Sequence, residues 1–367
     1  MRQRKLLNID KILLICVIIS ALYGILAIFS ATRSFSTNSN VIIQSVSFVL
    51  GIGILVVMTF FDYEQYELFI KPIGAVCIFL LLLVLVIGKS GNWGAQSWIR
   101  LGPIGIQPAE IAKIGFIITF SYHLTRVCDN LNNPLTLLFL IAHLLVPVAL
   151  IMLQPDAGSA MVFIFIFIVM LFVAGLSLKY IIPALAGGII SLPLIYMFLL
   201  TDYQKHRIDV FLNPELDRLG SGYNVIQSKI AVGSGGFFGK GFLQGTQNQL
   251  EFLPTKHTDF IFSVISEELG FIGAALVIIL LFTIIFRCIK TAKIATTPFG
   301  KYIATGVFAM LIFHTVENIG MCIGLMPVTG IPLPFFSYGG TSLITNCIAV
   351  GLVMSVYYHS AHRKYNF

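Results

Sequence analysis

In the last third of the chain, His257-Thr258-Asp259 sets an imidazole, a hydroxyl and a carboxylate where a polar stretch meets a long apolar run. A carboxylate at such a boundary can serve as a general base toward a substrate that is half polar and half lipid. The N-terminus of the helix that follows would hold Asp259 ionised and make it a weaker base. The same residues also suit helix capping, and position alone weighs the two readings evenly. A second group is Glu110 and Lys113, three apart and so on one helical face, where they can neutralise each other. They close a polar stretch, Asn92 to Glu110, that contains Trp93, Trp98, Arg100 and Gln107. Arg100 and Lys113 could hold phosphate, one as a planar fork and the other as a point charge. The tryptophans suit stacking on sugars, or the aromatic belt of a membrane interface, which is the commoner role. His314 and Glu317 also share a face, and a mutually satisfied pair is the preferred reading there. Glu267 and Glu268 lie about two helical turns beyond Asp259. Asp156 in QPDAG suits an N-cap.

The elements that must position these residues are membrane helices. Of 367 residues, 57% are hydrophobic and 11% charged, with a mean hydropathy of +0.93, far from a soluble domain. Apolar runs predict an all-α integral membrane protein in one polytopic domain spanning 1–367. About ten spans fall near 11–31, 41–61, 71–88, 107–125, 134–153, 158–175, 179–201, 259–286, 301–325 and 340–360. Arg2, Arg4 and Lys5 precede the first run, which is long enough to span and has no convincing cleavage site, so it reads as an anchor. The six cysteines lie in or beside apolar runs without metal-ligand spacing and read as small hydrophobes. The net charge of +7 is sorted by topology and not gathered for nucleic acid. With ten alternating spans, Lys11, Lys71, Arg126, Lys179, Arg287, Lys290, Lys293, Lys301, Arg363 and Lys364 share one side with the N-terminal basic residues. The short loops of the other side hold Arg33, Lys89 and Arg100. That asymmetry predicts N-in and C-in.

In this orientation the polar stretches fall outside: 92–110, Gln154 to Gly158, the loop 202–258 with Asp259 at its end, and Met326 to Gly340. The glycines of GSGGFFGKGFLQG (233–245) lack the spacing of a phosphate-cradling loop. They are expected to let the backbone turn back along the membrane surface, beside a weakly amphipathic interfacial helix carrying Tyr223, Val225, Ile226 and Ile230. Pro332, Pro334, Gly339 and Gly340 break the chain before the last span, and irregular backbone at membrane depth needs protein or a watered cavity beside it. An outward polar cavity follows. No ATP site is visible, so any reaction must draw on energy already in its substrate, as a diphosphate leaving group would supply.

The stretches WIRLGPIGIQPAEIAK (98–113), QPDAGSA (154–160), SGYNVIQSKIAVGSGGFFGKG (221–241), FLPTKHTDFIFSVISEELGFIG (252–273) and NIGMCIGLMPVTGIPLPFFSYGGTS (318–342) carry a specific resemblance along nearly the whole chain. Their order and content are similar to the SEDS family (shape, elongation, division and sporulation) of peptidoglycan polymerases. GIPLPFFSYGG and the short C-terminal tail resemble its elongation branch. Ala109, Ala157 and Thr341 depart from the usual Ser, Leu and Ser, none at an ionisable position. The resemblance implies a glycosyltransferase in the bacterial plasma membrane that polymerises lipid II on the outer face and releases undecaprenyl diphosphate. Asp259 matches the family's catalytic aspartate. Glu110 and Lys113 match its polar pair, while Trp98, Arg100, Gln107, Gln154, Asp156, His257, Thr258, Glu268 and Ser337 are implied as substrate-binding or supporting. No cofactor is certain. Arg100, Lys113 or a divalent cation, Mg or Mn, would stabilise the departing diphosphate. The implied partners are a class B penicillin-binding protein and other elongation-complex membrane proteins, not nucleic acid. The rival readings are a lipid II flippase, whose critical residues should reach both faces, and a non-catalytic scaffold.

Overall fold

The computed structural model describes residues 9–33, 38–88, 97–101, 104–200, 202–217 and 220–365. Trp93, Lys89 and the basic residues Arg2, Arg4 and Lys5 lie outside them. Helices occupy all ten expected positions: α1 (Lys11–Ala31), α2 (Ser39–Phe60), α3 (Ile70–Ile87), α4 (Pro108–Val127), α5 (Pro134–Met152), α6 (Ala157–Ala174), α7 (Leu178–Leu194), and, after the long loop, α10 (Ile261–Ile294), α11 (Pro298–Cys322) and α12 (Gly340–Tyr365). Within the loop lie α8 (Asp202–Leu212) and α9 (Ser221–Ser234), and a two-stranded hairpin, β1 (Ile99–Leu101) and β2 (Ile104–Ile106), precedes α4. Eight helices among the described residues are long and apolar enough to cross a membrane. Of the other two, α4 carries Glu110, Lys113 and Arg126, and α7 has 17 residues.

The helix starts follow from local chemistry. Proline opens α4, α5 and α11, where its missing N–H costs nothing. Asp10, Asn133, Asp156 and Thr297 accept first-turn N–H groups of α1, α5, α6 and α11. The centre of the bundle is α11, packed by α10, α6 and α4, while α12 lies along α2. Small residues allow the closest approaches: a methyl group on Gly24 of α1 would stand 2.5 Å from the carbonyl oxygen of Phe335. The Asp259 end of the bundle is closed by the 326–339 segment. The opposite end is pinned by charge, with Arg287 donating to Asp10 at 2.6 Å and Arg363 paired with Glu64.

The glycine-rich loop stays at the bundle surface, with Phe237 and Phe238 exposed, and it also does something the sequence did not suggest. Residues 235–241 splice into α10, which is broken at Gly270 (φ 63°, ψ −158°). Lys240 and Gly241 donate backbone N–H to the carbonyls of Glu267 and Glu268 at 3.0 and 2.9 Å, and Phe271 donates to Gly236 at 2.9 Å. The loop thereby replaces hydrogen bonds that the break removes, which an apolar surrounding would otherwise leave unmade. The expected helix forms as α9, but it packs on α10 and α11, with Ser228 Oγ bonded to Ser263 Oγ and to the carbonyl of Cys322, both at 2.7 Å.

Candidate active site

Asp259 ends a tight turn begun at Thr255, whose carbonyl accepts from the N–H groups of Thr258 and Asp259 at 3.1 and 3.2 Å. The N-cap of α10 is Phe260 and no side chain caps it. Thr258 Oγ1 instead donates back to Thr255 O at 3.1 Å, so capping is not what these residues do. Each consecutive carbonyl of His257-Thr258-Asp259 is held by a different group. Tyr338 N–H donates to His257 O at 2.8 Å, Ser337 Oγ to Thr258 O at 2.6 Å, and Asn318 Nδ2 to Asp259 O at 2.9 Å. The Asn318 amide also donates to Ile331 O at 2.8 Å, and Ser337 Oγ accepts from Leu333 N–H at 2.8 Å. The backbone bearing Asp259 is thus fixed by α11 and the 331–338 segment.

The Asp259 side chain is half-buried. Burial pushes its carboxyl up to about 6, opposed by the Arg207 guanidinium and the Thr258 hydroxyl. The expectation of a weak, firmly ionised base therefore gives way to a carboxylate poised near neutrality, because desolvation outweighs the helix terminus. Arg207, on α8, donates Nη1–H to Val328 O at 3.0 Å. His257 is pushed down to about 4 by burial and by Lys256, so its ring is neutral; the ring lies 5.5 Å from that of Tyr338.

A second cluster is buried between α4 and α11. Lys113 Nζ donates to Glu110 Oε1 at 2.6 Å and to His314 Nε2 at 3.0 Å. At 1% exposure, Lys113 does not present its charge to a phosphate by contact, contrary to the expectation for it. Nor do His314 and Glu317 pair with each other, since His314 meets Lys113 and Glu317 accepts from Thr329 Oγ1. Gln107 Nε2 donates to Asp156 Oδ2 at 3.2 Å, while Asp156 caps α6 through the Ser159 N–H and hydroxyl at 3.0 and 2.8 Å. Gln154 is buried and donates to Leu81 O at 3.0 Å. The half-buried Trp98 ring lies against Gly105 across the hairpin. The backbone of Arg100 pairs with Gly105, and its side chain lies outside the described residues. Glu268 accepts from Ser30 Oγ, Asn248 Nδ2 and Leu243 N–H at 2.6, 2.8 and 3.2 Å. That set closes the spliced loop and stands apart from the Asp259 turn.

An apolar cavity of about 240 Å³ opens between α1 and α10, lined by Tyr23, Leu26, Val264, Ile265 and Phe242 among others, with Glu268 at its wall. It does not include Asp259. Among the described residues no group of three or more His, Cys, Asp or Glu side chains is gathered where it could hold a metal ion.

The model of the FtsW/RodA/SpoVE family, described as cell cycle protein, matches residues 10–362. The chain belongs to this family. Peptidoglycan glycosyltransferase MrdB of Escherichia coli (strain K12) is 39% identical over 357 residues, covering 96% of this chain and 94% of that one. Probable peptidoglycan glycosyltransferase FtsW of Trichlorobacter lovleyi is 37% identical, covering 96% and 94%. A solved chain from work on the structural coordination of polymerization and crosslinking by a peptidoglycan synthase complex superposes with a TM-score of 0.82 at 32% identity, covering 96% and 98%. The bundle is therefore that of an all-α, multi-pass membrane protein of the FtsW/RodA/SpoVE family.

Sequence reasoning missed Arg207, Asn318 and Thr329. Arg207 sits in the long loop with no motif around it. Asn318 opens the 318–342 stretch, and its position beside Glu317 in an otherwise apolar span is the available signal.

Proposed function

We propose that this family member is a peptidoglycan glycosyltransferase that polymerises lipid II during cell elongation. The Asp259 carboxylate removes the proton from the 4-hydroxyl of the acceptor GlcNAc as that oxygen attacks the anomeric carbon of the donor MurNAc. The new C–O bond forms as the bond to the diphosphate breaks, the configuration inverts to a β-1,4 link, and undecaprenyl diphosphate leaves with the bonding electrons. Asp259 then returns its proton to water through its exposed edge. Arg207, beside Asp259, lends positive charge to the departing diphosphate. Lys113, shielded from contact, contributes only through the field of its cluster.

The site lies on the extracytoplasmic face, with N- and C-termini in the cytoplasm. A class B penicillin-binding protein cross-links the product, and other elongation-complex membrane proteins assemble around the pair.

The observation that carries this reading is the Asp259 turn, where three successive carbonyls are committed to neighbours while the half-buried carboxyl caps no helix and is held at about 6. A cap would spend its oxygens on backbone N–H groups. The test is polymerisation of labelled lipid II by the purified protein with its cognate penicillin-binding protein, transpeptidation blocked, for wild type, Asp259→Asn and Asp259→Ser. Both variants are expected to fold, bind the partner and lose at least about 10²-fold in glycan synthesis. Normal polymerisation by either would sink the base mechanism and turn attention to translocation or scaffolding.

A further inference from the structure

Three buried polar atoms near the centre of the bundle have no hydrogen-bond partner among the described residues: His314 Nδ1, Glu317 Oε2 and Glu110 Oε2. Such atoms are uncommon because each forfeits its hydration, so a group of them in one place signals a small polar guest. The character of the His314 atom follows from its neighbour. Lys113 has only donors, so His314 Nε2 at 3.0 Å must accept. In the neutral ring the proton then sits on Nδ1, which makes that orphan a donor. Glu317 Oε1 already accepts from Thr329 Oγ1, and its Oε2 is the atom left without a partner among the described residues. The residues are three apart on α11, so they share one face of it with their Cβ atoms about 5–6 Å apart.

From Glu317 the connection continues to the Asp259 turn. Thr329, which Glu317 holds, follows Val328, whose carbonyl is held by Arg207 at 3.0 Å. Ile331 O, two residues on, is held by the same Asn318 amide that holds Asp259 O, at 2.8 and 2.9 Å. The segment 328–331 thus fastens α8, α11 and the Asp259 turn to one another, and Glu317 is its anchor in the buried interior.

We propose that His314 and Glu317 are positioning residues for glycan polymerisation, joined by a buried water that links the Glu110–Lys113 pair through Thr329 to the turn carrying Asp259. The proposal rests on the function proposed above for its kinetic readout only. Without the water bridge Glu317 is free to turn from Thr329, the 328–331 segment loses its inner anchor, and Asp259 shifts against its substrate. Neither side chain touches the sugar, so catalytic rate suffers and substrate affinity does not.

The experiment is a double-variant cycle in the full-length protein with its cognate penicillin-binding protein: His314→Gln, Glu317→Gln and both together, measured for kcat and for KM toward lipid II. Each single change is expected to lower kcat about tenfold at unchanged KM, since small misplacement of a reacting group is costly. The double change should cost about the same tenfold, because the two act as one unit. Wild-type kcat in both single variants, or losses that multiply to about a hundredfold, would overturn the coupling. A second measurement needs no activity: ¹⁵N NMR of histidine-labelled protein should find His314 neutral and protonated at Nδ1, with that preference abolished by Lys113→Met. The opposite tautomer in the wild type overturns the inference. If wild-type protein makes no glycan, the proposed function fails, and the tautomer alone decides this one.

Discussion

At the scale of single residues, the feature with the clearest functional consequence is the shifted carboxyl of Asp259. A general base works in its ionised form, and burial holds this one at about 6, well above the usual carboxylate range. Polymerisation should therefore rise with pH up to about 6 and level off above it, falling about tenfold per unit on the acid side. Arg207 pulls the Asp259 carboxyl down, so Arg207→Gln should move that acid limb to higher pH. A pH–rate series at saturating lipid II, run on both proteins, checks the sign. An acid limb that stays put in Arg207→Gln would show that Arg207 does not act on the base. The sequence showed Asp259 and its junction with an apolar run, yet it pointed to a helix-terminus effect where desolvation in fact dominates. Desolvation comes from α11 and the 326–339 segment, brought over the turn by folding, and no local pattern encodes it. The same limit explains His314: the i,i+3 rule offers Glu317 as its partner, whereas the nearest charge, Lys113, arrives from another helix.

At the scale of elements, apolar runs made most helices legible to within a few residues, though α7 ends earlier and α10 runs further than expected, and cap chemistry at Asp156 was readable from QPDAG alone. The splice at Gly270 was not, because a glycine inside an apolar helix looks like any packing glycine until its dihedrals are known. Here φ 63° with ψ −158° lies in a region essentially closed to other residues. An added methyl group would also stand 2.3 Å from Gly239 N and 2.7 Å from Phe237 O, both backbone atoms of the inserted loop. Gly270→Ala is therefore expected to expel the loop, at a cost of roughly 1–3 kcal/mol from backbone strain alone. Because Glu267 accepts from Lys240 Nζ, Gln247 N–H and Asn248 N–H at 2.7, 2.9 and 3.2 Å, losing the splice also exposes a multiply bonded carboxylate. The expected outcome is a lower melting temperature in detergent together with new proteolytic cleavage between residues 236 and 250. A variant with wild-type melting and no new cleavage would mean that the loop is held by its side chains and not by the broken helix.

At the scale of the whole molecule, the basic residues of the short loops and the Asp259 turn lie at opposite ends of the bundle. Asp10, Arg287, Glu64 and Arg363 pair at one end, where Lys71, Arg126, Lys179, Lys293 and Lys301 also lie, all close to helix termini. The Asp259 turn, the hairpin and the 326–339 segment crowd the other. Basic residues in short loops are retained on the cytoplasmic side, so the Asp259 end should face outward, where a polymerase must meet an exported lipid-linked sugar. In a cysteine-free background, Glu251→Cys in the exposed part of the long loop should react with a membrane-impermeant maleimide on intact cells. Lys293→Cys, exposed at the end of α10, should react only after permeabilisation. The reverse pattern would put the base in the cytoplasm, and no arrangement of its neighbours could then deliver glycan to the cell wall without a separate export step. Equal labelling of both positions on intact cells would mean damaged membranes, which a cytoplasmic marker protein detects in the same sample. A flippase would need polar groups along a path between the two ends. Here Glu110, Lys113, His314 and Glu317 lie in the Asp259 half of α4 and α11, but Thr119, His143 and His123 continue polar contacts along α4 and α5 toward the other end, so the lipid II assay and the labelling pattern, and not the polar residues alone, separate polymerase from flippase.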